Sequence, residues 1–244
     1  MRNILIRLSY NGTAYHGWQV QQNAKTVQET LQDAVEIIFN KRESITGCSR
    51  TDSGVHANEY YCTLRTENQI PCERLVNALN GNLPFDIAVL SCAEVPLEFH
   101  PRYDCKEKEY IYKIWNSEIR NPFYLNTHLH YKYQLDTEKL DKVSKQFIGT
   151  HDFTSFCAAG GSVEDKVRTV KNFSVERYGT EVIMRVSADG FLYNMVRIMV
   201  GTLLDVSSGK IDGDSIPQII ESKKRENAGV TAPAHGLYLN RVIY

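Results

Sequence analysis

The 244-residue sequence has no run of about 18 apolar residues and no charged leader followed by an apolar core, so neither a membrane-spanning helix nor a secretory signal is expected. A cytoplasmic protein is the default. Paired cysteines are also missing. Cys48, Cys62, Cys72, Cys92, Cys105 and Cys157 are scattered without a CxxC motif, which predicts buried thiols in place of disulfides or a zinc site. His128 and His130 would share one face of a strand, but no cysteine or carboxylate cluster accompanies them, and no metal site is expected. An excess of either charge is lacking too, with 28 Lys and Arg against 29 Asp and Glu. That balance argues against a general nucleic-acid coat and leaves room for a localised basic cleft.

What the chain does have is a readable order of elements. NILIRLS alternates as a strand and Asn11-Gly12 turns it. A loop with Tyr15, Gly17 and Trp18 follows, then TVQE, where Thr26 caps a helix and Glu29 reaches back as a capping box. Val27, Leu31, Ala34, Val35 and Ile38 recur at helical spacing, with Lys41-Arg42 at the carboxyl end. A short strand near 44–49, the RTDSG connection, a strand over 60–66, the helix PCERLVNAL and a strand over 87–95 complete a β-α-β-β-α-β series, the ferredoxin-like (RRM-like) order. From Lys108 the order begins again. EYIYKIW sets Tyr110, Tyr112 and Ile114 on one face. Asp136 caps a helix lined by Leu140, Val143 and Phe147 and ended by Gly149. Strands 168–178 and 181–188 join through Gly179-Thr180 as a hairpin. In FLYNMVRIMVGTLLDV, Leu192, Met195, Val196, Met199, Val200 and Leu203 form one stripe, Asp214 caps a short helix, and GLYLNRVIY closes as a strand. The expected fold is therefore α+β: two ferredoxin-like halves, 1–105 carrying the RTDSG loop and 106–244, joined into one mainly antiparallel sheet with helices on one face and a cleft between the halves. No letter-by-letter repeat accompanies this order.

Four residues invite a chemical reading. Arg197 is the only charged residue between Gly190 and Leu204, on an otherwise apolar helix. It either snorkels to the surface or takes water or a carboxylate as partner. Asp52 is the candidate carboxylate. The turn alone makes it an Asx-turn residue ahead of Ser53-Gly54, and its placement on a tight loop between two strands shifts the reading toward a reactive group. Beside a guanidinium it would stay ionised, which suits a nucleophile and disqualifies a general acid. Tyr110 is either core packing on its strand or a site aromatic. Arg50, two residues before Asp52, is either a solvated side chain or a second cation for a planar anionic substrate.

SRTDSGVHA resembles the RTDAGVHA signature of the tRNA pseudouridine synthase A family. SYNGTAYHGWQVQ, LVNALNGNLPFDIAV, FHPRYDCKEKEYIYKIW, GTHDFTSFCAAG, FLYNMVRIMVG and GLYL resemble further blocks of that family, in its order along nearly the whole chain. The resemblance implies that Asp52 is the catalytic aspartate, Arg50 the arginine that helps flip out the target uridine, Tyr110 the tyrosine that stacks on the flipped base, and Arg197 the arginine that holds the aspartate. It also implies a homodimer without metal or organic cofactor, acting on uridines in the anticodon stem-loop of tRNA. The chain departs from the pattern at Cys48-Ser49, where Ala-Gly is typical, and at Ser53, where alanine is typical. The charged groups stay intact.

Pseudouridine formation breaks the C1′–N1 bond and makes a C1′–C5 bond, so the base must detach, rotate and reattach without escaping. A carboxylate can attack C1′ or C6, or deprotonate C2′, and the sequence leaves the three routes open. Tyr110 can take the C5 proton or serve as a platform while another group does. Two other classes compete with this reading. A non-catalytic pair of RRM-like halves would carry an RNP aromatic motif, which is missing. A glycosidase-like hydrolase would want a second carboxylate near Asp52, and none stands out.

Overall fold

Alternation in the first strand, β1 (Arg2–Tyr10), buries Ile4, Ile6, Leu8 and Tyr10 on one face, as a half-covered antiparallel strand requires. In the computed structural model, which describes residues 1–161 and 163–244, the protein is mixed α+β with mostly antiparallel strands. Helix α1 (Val27–Phe39) opens at Thr26, whose hydroxyl accepts from the Glu29 N–H at 3.3 Å. The return bond expected of the Glu29 side chain is not among the described contacts; Thr30 donates to the Thr26 carbonyl at 2.9 Å in its stead. Beyond the helix, Arg42 folds back onto Asp33 and Glu36, each at 2.7 Å. The basic pair at this end thus acts through side-chain partners.

Next come β2 (Ile45–Gly47), β3 (His56–Thr66), α2 (Cys72–Asn82) and β4 (Ile87–Val95). β1 lies between β4 and β3, and β2 pairs with the carboxyl-terminal part of β3, all antiparallel. This is the 4-1-3-2 arrangement of a ferredoxin-like unit. α1 packs against α2, and Leu31, Val35, Leu75 and Leu79 are fully buried.

The chain then builds a second compact unit over Glu107–Leu237. β5 (Glu107–Asn116) pairs antiparallel with β9 (Glu181–Ala188), which pairs antiparallel with β8 (Val167–Tyr178). Two short strands stand outside the expected order of elements: β6 (Leu129–Tyr131), parallel to the end of β5 and holding His130, and β7 (Gly149–Asp152), antiparallel to β8. Gly149 therefore opens a strand. The helix before it, α3 (Thr137–Ser144), is capped by Asp136 as expected, with the Lys139 N–H at 3.0 Å, and runs on as a 3-10 turn over Lys145–Phe147. α4 (Met195–Ser207) buries its apolar residues on nearly every side. α5 (Ile216–Ser222) follows a 3-10 turn capped by Asp212, which accepts from the Asp214 N–H at 3.1 Å. The capping aspartate is thus Asp212, two residues earlier than expected, because the turn that needs capping precedes the helix.

The closing strand β10 (Leu237–Ile243) lies parallel to the start of β3, with Tyr238 opposite His56 and Leu239 opposite Ala57. Met1–Lys106 and Tyr238–Tyr244 together make the first unit. No helix among the described residues is long and apolar enough to cross a membrane.

Candidate active site

Asp52 lies half-buried on the irregular connection between β2 and β3, and Arg50 is exposed on the same connection. The turn at Asp52 is closed by the main chain, its carbonyl accepting from the Val55 N–H at 3.1 Å.

The segment after β1 lies against this loop. Trp18 N–H donates to the Thr51 carbonyl at 3.2 Å, and Gly54 N–H donates to the Tyr15 carbonyl at 3.1 Å. The hydroxyls of Tyr10 and Thr51 meet at 2.9 Å. Gly12 N–H donates to His56 Nδ1 at 3.0 Å. That bond requires an unprotonated Nδ1, so the His56 ring carries its proton on Nε2. Two glycines permit this approach: a Cβ on Gly12 would fall 2.0 Å from the Val55 carbonyl oxygen, and one on Gly17 2.3 Å from that of Thr51. Neither position has room for a side chain. The glycine-and-aromatic composition of residues 11–18 is therefore a consequence of backbone lying on backbone.

Under the loop sit aromatic rings. Trp18 stacks on Tyr60 with centroids 4.1 Å apart, and Tyr10 lies 5.6 Å from Tyr60. Burial pushes the Tyr60 hydroxyl well above the ordinary tyrosine value, so it stays protonated and donates to the Ser49 carbonyl. Tyr15 donates to Asp86 at 2.6 Å, which ties the bracing segment to the start of β4. Two of the unusual residues find a place here. Ser53 Oγ donates to the Tyr15 carbonyl at 3.4 Å, a bond alanine could not make, and Cys48 is wholly buried.

Tyr110 and Arg197 belong to the second unit. Tyr110, 6% exposed on β5, takes Phe191 edge-on at 5.0 Å. Arg197, half-buried on α4, donates from Nε to the Ala232 carbonyl at 2.7 Å and from Nη1 to the Asn194 side-chain oxygen at 2.8 Å. Its own carbonyl accepts from the Ala232 N–H at 3.0 Å. The sequence reading offered Arg197 a carboxylate, water or the surface; a main-chain carbonyl and an amide are further acceptors, which residue type could not announce. The same 230–236 segment reaches β5, where Tyr112 donates to the Pro233 carbonyl at 2.8 Å. Burial raises the Tyr112 hydroxyl, and the Arg197 charge opposes that rise.

His128 and His130 are engaged within the protein. His128 Nε2 meets Glu181 at 2.8 Å and Nδ1 meets Thr127 Oγ1 at 3.0 Å, while His130 Nε2 meets the Ser117 carbonyl at 2.8 Å. Among the described residues no three His, Cys, Asp or Glu side chains gather as a metal would need, and all six cysteines are free thiols.

The sequence profile of the family described as tRNA pseudouridine synthase matches residues 7–104 and 143–244, which puts the chain among enzymes that isomerise uridine within RNA. A protein of Acetivibrio thermocellus named tRNA pseudouridine synthase A is 46% identical over 244 residues, covering all of both chains. One of Thermoanaerobacter sp. (strain X514) with the same name is 45% identical, again over all of both chains. A third, tRNA pseudouridine synthase A 2 of Clostridium tetani, is 43% identical and covers all of this chain and 99% of its own. This chain belongs to the tRNA pseudouridine synthase A family.

Proposed function

We propose that the protein converts uridines of the tRNA anticodon stem-loop to pseudouridine, with Asp52 as the reacting carboxylate. The observation that carries this reading is the bracing of the Asp52 loop. Residues 51–56 are bonded to residues 10–18 through main chain, hydroxyl and imidazole, so a group on that loop is held before substrate arrives. Preorganisation of that kind is what a displacement at C1′, an addition at C6 or a deprotonation at C2′ asks of a carboxylate. In this reading Arg50, exposed on the same loop, helps extrude the uridine from its stack, and Tyr110 receives the face of the base. Arg197 is the cation that keeps the Asp52 carboxylate ionised. Tight fixation of its guanidinium by Ala232 and Asn194 supports a positioned charge over a solvated one. The C1′–N1 bond breaks, the base turns in place, a C1′–C5 bond forms, and the C5 proton departs. We further propose that the enzyme works in the cytoplasm as a homodimer on tRNA.

Tritium release tests the chemistry. Incubated with tRNA transcripts carrying 5-tritiated uridine, the protein should release tritium, and Asp52→Asn should lower the rate on the order of a thousandfold or more. Release by that variant at the native rate would refute the role of Asp52.

A further inference from the structure

Asn194 breaks two rules of helix starts at once. A residue at this position is ordinarily extended, with a side chain that caps the N–H of the second or third helical residue. Asn194 is left-handed, at φ 60° and ψ 9°, and its side chain makes no capping bond. Its carbonyl still opens the helix by accepting from the Ile198 N–H at 3.0 Å. Asparagine tolerates this backbone better than most residues, but the conformation is strained compared with an ordinary helix start. When a structure accepts a strained backbone and forgoes a cap at one residue, the side chain is serving some other contact.

That contact is Arg197. The Asn194 amide oxygen accepts from Arg197 Nη1 at 2.8 Å, and the Ala232 carbonyl accepts from Nε at 2.7 Å. The amide is oriented by chemistry: a guanidinium has only donors, so it is the oxygen of Asn194 that faces it. Two acceptors bonded to different nitrogens of a planar, five-donor group fix both its position and the direction of its remaining N–H bonds. The Ala232 carbonyl belongs to a segment that also bonds the Arg197 main chain, whereas the Asn194 bond joins side chain to side chain and adds a constraint of its own.

We infer that Asn194 is a positioning residue, holding the Arg197 guanidinium in its working orientation. The inference rests on the reading of Arg197 given above, and its test separates the two. Asn194→Gly removes the amide while suiting the left-handed backbone. In the tritium assay with tRNA its kcat should fall about tenfold or more, the usual consequence of losing a charge-assisted hydrogen bond, with KM within about twofold. In an Arg197→Lys background, which lacks the Nη1 donor, Asn194→Gly should cause no further loss of kcat. Native kcat in Asn194→Gly, or an equal loss in both backgrounds, would overturn the inference. Should Asn194→Gly melt well below the native protein, Asn194→Asp decides, since it keeps an acceptor on a residue tolerant of this backbone: kcat near native sustains the inference and a matching loss overturns it. Arg197→Met tells the failures apart. Full activity there defeats the reading of Arg197, whereas loss there alongside native kcat in Asn194→Gly defeats only the role of Asn194.

Discussion

At the scale of single residues, the loop that carries Asp52 depends on groups that a reading of side-chain type passes over. His56 looks like one more polar residue in GVHA, yet its ring is 1% exposed, stacks on Tyr238 with centroids 4.5 Å apart, and accepts the Gly12 N–H. Leucine at this position would leave that amide with no acceptor, and an orphaned buried donor costs about 1–3 kcal/mol. His56→Leu should therefore lower the urea midpoint, and His56→Asn, which keeps an acceptor, should lower it less. Equal midpoints for the two variants would show that the bond to Gly12 contributes little. The motif made Asp52, Arg50, Tyr110 and Arg197 legible as candidates because charged and aromatic types are conspicuous in sequence. Gly12, Gly17, His56 and Asn194 were not legible in this role, since what each does depends on a chain segment folded against it.

At the scale of elements, local chemistry predicted what local chemistry controls. Thr26 and Asp136 cap their helices, and the Gly179-Thr180 turn joins β8 to β9, because each involves partners within a few residues. β6 and β7, only three and four residues long, carry no alternation strong enough to read; they are strands because β5 and β8 offer edges to pair with. The α4 helix shows a similar dependence. A Cβ on Gly201 would fall 1.7 Å from the Val230 carbonyl oxygen, main chain that cannot swing aside, so Gly201→Ala should cost about 3 kcal/mol or more through overpacking. An unchanged melting temperature would show that the 228–232 segment yields.

β6 is tethered at its start by His128. Burial lowers the affinity of this ring for a proton more than Glu181 raises it, so the ring is neutral, its Nε2–H donating to Glu181 and its Nδ1 accepting from Thr127. A histidine whose folded value is depressed binds protons more readily when unfolded. Its contribution to stability is complete well above the ordinary histidine value, and the window in which it is lost, as pH falls, opens at that value and extends below it. His235 is lowered chiefly by burial, against a hydrogen bond to the His128 main chain and with the Arg197 charge adding to the fall, and acts in the same sense. Urea midpoints should fall across that window, and His128→Gln, which keeps a donor without titrating, should flatten the fall. Parallel profiles for native and variant would remove His128 as a source.

For the whole molecule, the path of the chain matters more than the sum of its elements. The series β-α-β-β-α-β was legible because hydrophobic period and turn residues mark each element, and the 4-1-3-2 arrangement of the first four strands follows from it. The partner of the closing strand was not legible, because nothing in GLYLNRVIY says which edge it will find. It finds β3, and its buried Tyr238, Leu239 and Val242 join the first unit. Tyr244 adds an anchor, with its hydroxyl on the Pro101 carbonyl at 2.9 Å and its ring against Tyr61 and Phe99. Removal of residues 238–244 should abolish much of the amide-exchange protection of His56–Tyr60. Native protection in the shortened chain would mean that β3 holds its own edge.

The order in which a ribosome makes this protein adds a consequence. Residues 1–106 emerge well before Tyr238, and at roughly 5–20 residues per second the interval is on the order of ten seconds. During that time His56 waits without its stacking ring, and the amino-terminal end of β3 offers an open edge to any other nascent strand. The ring of His56, which accepts from Gly12 beside the Asp52 loop, thus gains its stacking partner only after translation has passed through the second unit, however early the loop itself was made.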